Sequence, residues 1–493
     1  MHKKMPMFYS ALLLTGVNLL LRVVSTSFQV FISGRLGAAG VGLLQLVLSV
    51  GALAMTAGIA GVRTATMYLT AEELGKRRPG NLKWVLRSCF LYSVLCSGAV
   101  SLGLIAGAPM IATHWIGDIR TVESIRTFGV FLPVVCLSGC MTGYYTAENR
   151  IGTLAAVEIA EQFFSMGITM AALTLWAGKD PGRACQAVVF GSGCGAVLTL
   201  GSLLILRRKY PAGSVKPSFR SRLLGTAVPL ALADDLKAGI STTENLMVPK
   251  RLARYPGAAS PLAAFGMVCG MVFPILMFPA AILFSLAELL IPELARCAAT
   301  DSRRRIDYLA KRSLRIAMLY GFLCAGLLIL LAEPICVSLY QSAEAGTHLR
   351  LYAFLAPMLY CDAITDAMIK GLGQQRISVR YNILTSAMDV IFLFLLLPKY
   401  GMTGYFISFF VTHFVNFILS LRRLIKITRL NIPFYLPALT CAATLGSVFG
   451  AGFVPSVPLR LAAYLGLMGS LLTLFRVVSR EDVFWIKGLI RKN

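Results

Sequence analysis

Long apolar runs separated by short, basic links dominate the chain. A membrane-crossing helix needs about 20 mostly apolar residues. On that rule, spans are predicted near 8–33, 41–70, 85–112, 122–146, 153–177, 186–206, 224–247, 262–290, 313–339, 349–370, 377–397, 403–421, 432–454 and 459–478. The fold class is therefore all-α, a polytopic membrane protein of about 14 transmembrane helices. The opening MHKKM followed by an apolar run mimics a signal peptide. That run is too long, carries Arg22 and shows no clear small-residue cleavage site, so it reads as the first helix.

The pattern repeats. VLRSCFLYSVLCSGAVSLGLIAGAPM from Val85 reads against AKRSLRIAMLYGFLCAGLLILLAEPI from Ala310, with Arg87 on Arg312 and Pro109 on Pro334. FLPVVCLSGCMTGYYTAENRIG from Phe131 reads against FLAPMLYCDAITDAMIKGLGQQRI from Phe354, with Pro133 on Pro357 and Arg150 on Arg376. The offset stays near about 225 residues. Six helices per copy is an even number, so both copies share one orientation. Two parallel six-helix lobes follow, 1–210 (spans one to six) and 211–425 (spans seven to twelve), with two extra spans and a tail in 426–493; a substrate site is expected between lobes near the midplane. At an offset of about 215, Arg22 also falls on Lys237 and Arg35 on Lys250, giving each lobe one cation at mid-helix and one at the outer end.

Charge at membrane depth supplies the candidate chemistry. Arg22, Arg63 and Lys237 interrupt apolar stretches, and a charge there costs about 2.5–3.5 kcal/mol on insertion scales unless it meets a polar cavity or a partner. Three such cations point to a cavity built for something negative. The other reading is pairing inside a lobe, with Glu158 and Glu161 in span five or Asp234 and Asp235 in span seven. Asp234, Lys237, Ser241 and Glu244 recur at helical spacing along one face, so Lys237 has local carboxylates to hand. The candidate cavity set is thus Arg22, Arg63, Lys237, Arg35, Glu244 and Asp234. Asp362 and Asp366 share a face of span ten and Asp389 lies in span eleven; capping of polar helix contacts is favoured there over Na⁺ or H⁺ binding. Glu288 and Glu293 read as residues of the inner membrane surface.

Composition narrows the class. Hydrophobic residues make up 57% of the 493, charged residues 14%, and mean hydropathy is +0.73. The net charge of +25 lies mostly in short links, such as Lys76-Arg77-Arg78, Arg207-Arg208-Lys209 and Arg303-Arg304-Arg305. Roughly seven in ten of the 47 Lys and Arg residues fall on one side. That bias makes a nucleic-acid partner a poor reading and puts both termini in the cytoplasm. The 12 cysteines lack zinc-type spacing and histidine partners, and read as small packing residues. The four histidines are scattered and no enzyme motif is present. The chain is expected to be no enzyme, with no cofactor beyond coupling to H⁺, Na⁺ or the membrane potential.

SGRLGAAGVGLLQLVLS, Ser33 to Ser49, resembles the opening of the multidrug/oligosaccharidyl-lipid/polysaccharide exporter superfamily. GIAGVRTATMYLTAEE from Gly58, AVPLALADDLKAGISTTENLMVPKRL from Ala227 and FPAAILFSLAELLIPELA from Phe278 are similar to its stage V sporulation protein B branch, as are IKGLGQQRIS from Ile369 and PKYGMTGYFIS from Pro398. The resemblance implies alternating access and translocation of a polyprenyl-(pyro)phosphate-linked sugar, a peptidoglycan or polysaccharide precursor, in the bacterial plasma membrane. Membrane lipids and cell-wall synthesis enzymes are the further partners it implies. In related lipid II flippases, arginines of helices one, two and eight line the cavity; Arg22 and Arg63 resemble the first two. Here Phe28 stands near where relatives carry a second arginine in helix one, and Lys237 on span seven would substitute for the one in helix eight. Two other readings stay open: a multidrug/cation antiporter of the same superfamily, and a non-transporting scaffold for cell-wall synthesis. Cationic drugs want an acidic, aromatic cavity, which the cations oppose, and a scaffold leaves their cost unexplained.

Overall fold

A computed structural model of the chain describes residues 7–59, 61–178, 180–208, 220–428 and 435–477. All regular structure among them is helical: α1 (Met7–Ile59), α2 (Val62–Gly75), α3 (Leu82–Met110), α4 (Val122–Ala147), α5 (Ile151–Ala172), α6 (Pro181–Ile205), α7 (Arg220–Leu252) and α8 (Pro261–Met267). There follow α9 (Phe273–Met277), α10 (Ala280–Ala299), α11 (Arg303–Tyr340), α12 (Ala343–Ala353), α13 (Ala356–Gly371), α14 (Gln375–Thr428), α15 (Tyr435–Gly452) and α16 (Val457–Leu474). Helices satisfy every backbone group internally, which is what a chain this apolar needs in lipid.

By length and hydropathy alone, nine helices among the described residues can cross a membrane, or ten if the bent run from Pro261 to Ala299 is one span. Two of these are double. Helix α1 breaks at Gly37 (φ 66°) and α14 at Gly401 (φ 58°), each separating two spans. A residue with a Cβ would be strained at both positions. With α7, whose charges lower its hydropathy, and α13, which is short, the sequence-predicted fourteen are all represented. Link residues 209–219, the start of span thirteen at 432–434 and the tail from 478 lie outside the described residues.

Three spans differ from their sequence outlines. Span two is broken between α1 and α2, span eight bends by 63° next to Pro279, and α11 starts at Arg303, some ten residues before the apolar run. The repeat survives in the helix boundaries. Arg150 immediately precedes α5 and Arg376 is the second residue of α14; Pro109 and Pro334 both lie within helices, in α3 and α11.

Contacts divide the chain into two compact units. The first comprises Met1–Val30, Met271–Asp389 and Thr403–Asn493; the second comprises Phe31–Gly270 and Val390–Met402. This grouping runs across the lobe boundaries read from the repeat, because α7 packs onto α2 inside the second unit. In the first unit, Tyr464 of α16 donates to the Leu323 carbonyl of α11 at 3.0 Å, over Gly326, and Tyr360 donates to the Leu276 carbonyl at 2.7 Å. Buried tyrosines that keep a partner for the hydroxyl combine apolar bulk with a directional bond. In the second unit, one core joins Val62, Ala65 and Leu69 to Val85, Cys89 and Cys140 and to Leu223 and Ala227 of α7. The cysteines there pack as small apolar groups.

Candidate functional site

Arg63 owes its position to glycine. Gly61 precedes α2 with φ 71° and ψ 0°, a conformation that favours glycine. A methyl group added at Gly61 would fall within 3.0 Å of the Ala227 carbonyl of α7, and one added at Gly143 of α4 within 3.0 Å of the Arg63 carbonyl. Absent side chains thus let α4 and α7 clamp the backbone on both sides of the break, as small residues do at helix contacts in lipid. The Arg63 side chain is exposed on this clamped segment.

Arg63 is also the second residue of α2, whose first turn contains no acidic residue and whose N-cap supplies no side-chain acceptor. The first N–H groups of a helix lack an intrahelical acceptor and carry partial positive charge. Guanidinium and helix terminus therefore ask for the same thing, an anion. Glu158 of α5 is near enough for the two charges to interact, although the pair makes no ion contact among the described residues. The neighbouring Glu161 is engaged elsewhere, accepting from Thr199 of α6 at 2.5 Å.

Lys237 is exposed near the middle of α7, and is in no ion pair among the described residues. At 1.5 Å per residue it lies about 22 Å from Arg222 at one end of the helix and about 20 Å from Lys250 at the other. Asp234 is exposed on the adjoining turn without bridging to Lys237, Asp235 leaves Oδ1 buried without a hydrogen bond, and Glu244 is half-buried and engaged with its surroundings. The local neutralisation of Lys237 that the helical spacing allowed is not formed. Arg35 is exposed at the break in α1, its guanidinium 5.7 Å from the Phe31 ring centroid. It lies two residues before that break. Arg22 is half-buried on the first stretch of α1, which belongs to the first unit, and it too is in no ion pair among the described residues.

Three carboxylates of the first unit accept hydrogen bonds within it, although Asp362 Oδ1 stays buried without one. Asp362 accepts from Asn416 at 3.0 Å; Asp366 pairs with Lys370 at 2.6 Å and accepts from Ser378. The buried Asp389 accepts from Ser408 at 2.5 Å and from Thr412 at 3.3 Å. This is the polar helix-contact role the sequence favoured. Glu293 pairs with Arg305 at 2.6 Å and Arg296 at 3.8 Å in the turn between α10 and α11.

Sequence reasoning overlooked the break at Gly61 and the ion cluster of Glu72, Glu73 and Arg222 at the foot of α2. The break did leave a trace, since GIAGVR sets two glycines and an arginine in an apolar run. The cluster left none, because its partners are 150 residues apart.

These features define a class: a multi-span, all-helical membrane protein with nine or ten helices long and apolar enough to cross a membrane and no strand or metal-binding cluster, all among the described residues. Residues 15–150 match the MatE family model. The chain is 20% identical over 411 residues to stage V sporulation protein B of Bacillus subtilis (strain 168), covering 80% of this chain and 78% of that protein. Among solved structures, lipid II flippase MurJ in an inward closed conformation matches with a TM-score of 0.74 at 11% identity, covering 94% of this chain and 98% of that one. An inward-facing multidrug resistance MATE family transporter matches with a TM-score of 0.68 at 13% identity, covering 85% and 100%. The resemblance read from the sequence holds: the chain has the fold of the multidrug/oligosaccharidyl-lipid/polysaccharide exporter superfamily and is similar to stage V sporulation protein B.

Proposed function

We propose that this protein is a flippase for a polyprenyl-(pyro)phosphate-linked sugar, a peptidoglycan or polysaccharide precursor, working by alternating access in the bacterial plasma membrane with both termini in the cytoplasm. The observation that carries this reading is Arg63: an exposed cation on the first turn of a half-helix, backed by a helix N-terminus of the same sign. An anionic headgroup answers both, and phosphate oxygens match the guanidinium fork. Lys237, exposed at mid-helix in the same compact unit, adds to this positive charge, and Arg22 is the first-helix cation given the same role. The lipid tail stays in the bilayer, so the protein supplies only a polar path and two arrangements of its lobes. Relatives named as a lipid II flippase and as sporulation proteins agree with an envelope-building role, in which cell-wall synthesis enzymes are natural neighbours. Coupling to H⁺, Na⁺ or the membrane potential belongs to the same proposal.

The test is depletion followed by extraction of lipid-linked intermediates from each membrane face. A polyprenyl-linked sugar that accumulates on the cytoplasmic face supports the assignment. An unchanged set of intermediates together with raised sensitivity to cationic drugs sinks it in favour of the antiporter.

A further inference from the structure

The foot of α2 and the start of α7 are tied by a cluster that the binding site does not use. Arg222 pairs with Glu72 through one guanidinium nitrogen and reaches Glu73 at 3.5 Å through another. Glu72 also holds Lys76 at 2.5 Å, while Glu73, only 3% exposed, accepts from Asn81 at 2.9 Å. Leu223 and Ala227 are the α7 side chains that join the apolar core beside it.

Toward the other end, α7 and α8 are joined instead to α1 and to the turn after α3. Gly42 of α1 and Gly266 of α8 abut each other's helix backbones with no room for a methyl group on either. Thr242 donates to the Ser49 carbonyl at 3.0 Å, Asn245 donates to the Ser49 hydroxyl at 3.0 Å, and Lys250 donates to the His114 carbonyl. One end is therefore backbone packed on backbone, whose contacts water cannot replace. The other end is held by ion pairs, of which Arg222–Glu72 is more than two-fifths exposed on both sides while Arg222–Glu73 has a buried carboxylate; water solvates the exposed pair readily when it parts. Arg63 lies between them, nine residues or about 14 Å along α2 from Glu72. Glu72 belongs to the first lobe of the repeat and Arg222 to the second.

We propose that Glu72, Glu73 and Arg222 form a latch regulating access to Arg63 from the basic face of the membrane. This rests on the transport reading for its purpose, though not for its measurement. Opening breaks the Arg222 contacts and exposes the buried Glu73, while the glycine-packed end stays shut. Glu72 keeps Lys76 and Glu73 keeps Asn81 after release, so both carboxylates remain partly satisfied and the open state is accessible. Loss of Arg222 frees two carboxylates and loss of the Glu72 charge frees one, so the Arg222 variant opens further.

The test uses full-length protein in a cysteine-free background with one reporter, Ser241→Cys, on the exposed face of α7. A membrane-impermeant maleimide is applied to either face of sealed vesicles. Relative to the parent, Glu72→Gln should speed labelling from the basic face about threefold and Arg222→Gln about tenfold, with labelling from the opposite face unchanged or slower. Arg222→Lys, which keeps the charge, should stay near the parent rate and serves as the folding control. Equal rates for Arg222→Gln and the parent overturn the latch, as does an Arg222→Lys that labels like Arg222→Gln. Labelling requires no substrate, so the expected labelling pattern in a protein that flips no glycolipid keeps the latch and sinks the transport reading. Normal flipping with unchanged labelling does the reverse.

Discussion

Gly61→Ala should destabilise the protein and disable it at once, because one atom group is added at the point that sets Arg63. The backbone there has φ 71°, and a residue with a Cβ in the left-handed region costs about 1–2 kcal/mol. The new methyl falls within 3.0 Å of the Ala227 carbonyl, which is helix backbone and cannot rotate away. Overpacking of that kind adds about 1–3 kcal/mol, so the total is about 2–5 kcal/mol. Gly143→Ala separates the two contributions. Its backbone is helical, so only the approach to the Arg63 carbonyl remains, about 1–3 kcal/mol. Gly98→Ala in α3, with nothing within 4 Å of the added group, should instead gain up to about 1 kcal/mol of helix propensity. Thermal unfolding in detergent, read as the fraction remaining monodisperse, should rank Gly98→Ala highest, then the parent, Gly143→Ala and Gly61→Ala. At a temperature where Gly61→Ala is still folded, its flipping should already be lost because Arg63 has been displaced. A Gly61→Ala protein that melts with or above Gly98→Ala refutes the clamp.

Arg63→Ala or Arg22→Ala should abolish flipping in reconstituted vesicles with near-normal expression, and lysine should rescue only in part, since it lacks the bidentate fork; variants that vanish from the membrane would mark these cations as structural. Lys237→Glu should flip less than Lys237→Ala, because an anion repels phosphate in a poorly screened site, and equal activities would remove Lys237 from the pathway. Asp389→Ala should cost about 1–3 kcal/mol by stranding two buried hydroxyls, with Ser408→Ala costing less and the double variant falling short of additivity in the melting midpoint. A cysteine at Asp301, whose side chain is 86% exposed in the α10–α11 turn, should label only from the cytoplasmic face; labelling from outside would invert the topology. Glu72 is held below the usual carboxylate range by its Lys76 hydrogen bond first, which outweighs the opposing desolvation, with Arg222 adding a smaller lowering. A depressed carboxylate contributes fully above its unperturbed value near 4.3 and loses its effect as the pH falls through the lowered one. The labelling rate of the parent relative to Arg222→Gln, a ratio that cancels the fall in reporter thiolate with pH, should therefore be flat from pH 8 to about 5 and rise only in stronger acid; a rise already near neutrality would mean that another group holds the latch.

The spans were legible because each needs only length and apolarity, and the repeat was legible because prolines and arginines recur at a steady offset. What stayed hidden was set by backbone conformation or by distant partners. In the run 41–70 the glycines and arginine of GIAGVR are the trace of the break at Gly61, too weak to exclude a straight span because a glycine in an apolar helix is as often a packing site as a break. Periodicity put Asp234, Lys237 and Glu244 on one face and so allowed a local network, but a shared face does not oblige side chains to meet. Arg222 looked like one more basic link residue, because the cytoplasmic-loop bias accounts for any arginine near a helix start. Only folding reveals that it is spent on two glutamates of α2.

Within each compact unit taken by itself, the charges singled out above differ in which sign already has partners. Glu161, Asp362, Asp366 and Asp389 each accept a hydrogen bond from a neighbouring side chain, whereas Arg22, Arg63 and Lys237 are in no ion pair among the described residues. A site for cationic cargo would have the opposite balance, with its arginines neutralised and its carboxylates left open, since a partnered carboxylate must first lose its donor before it can hold a cation. The donors here are hydroxyl and amide groups on adjoining helices, fixed by packing and slow to yield. Glu158 beside Arg63 and Asp234 one turn from Lys237 are the carboxylates near these cations, neither in ion contact with them, and the cost of a cation at membrane depth falls when water or an anion reaches it. Glu158 then has a definite part in this balance: it lowers the cost of Arg63 when the site is empty, without the ion contact that an incoming phosphate would have to break.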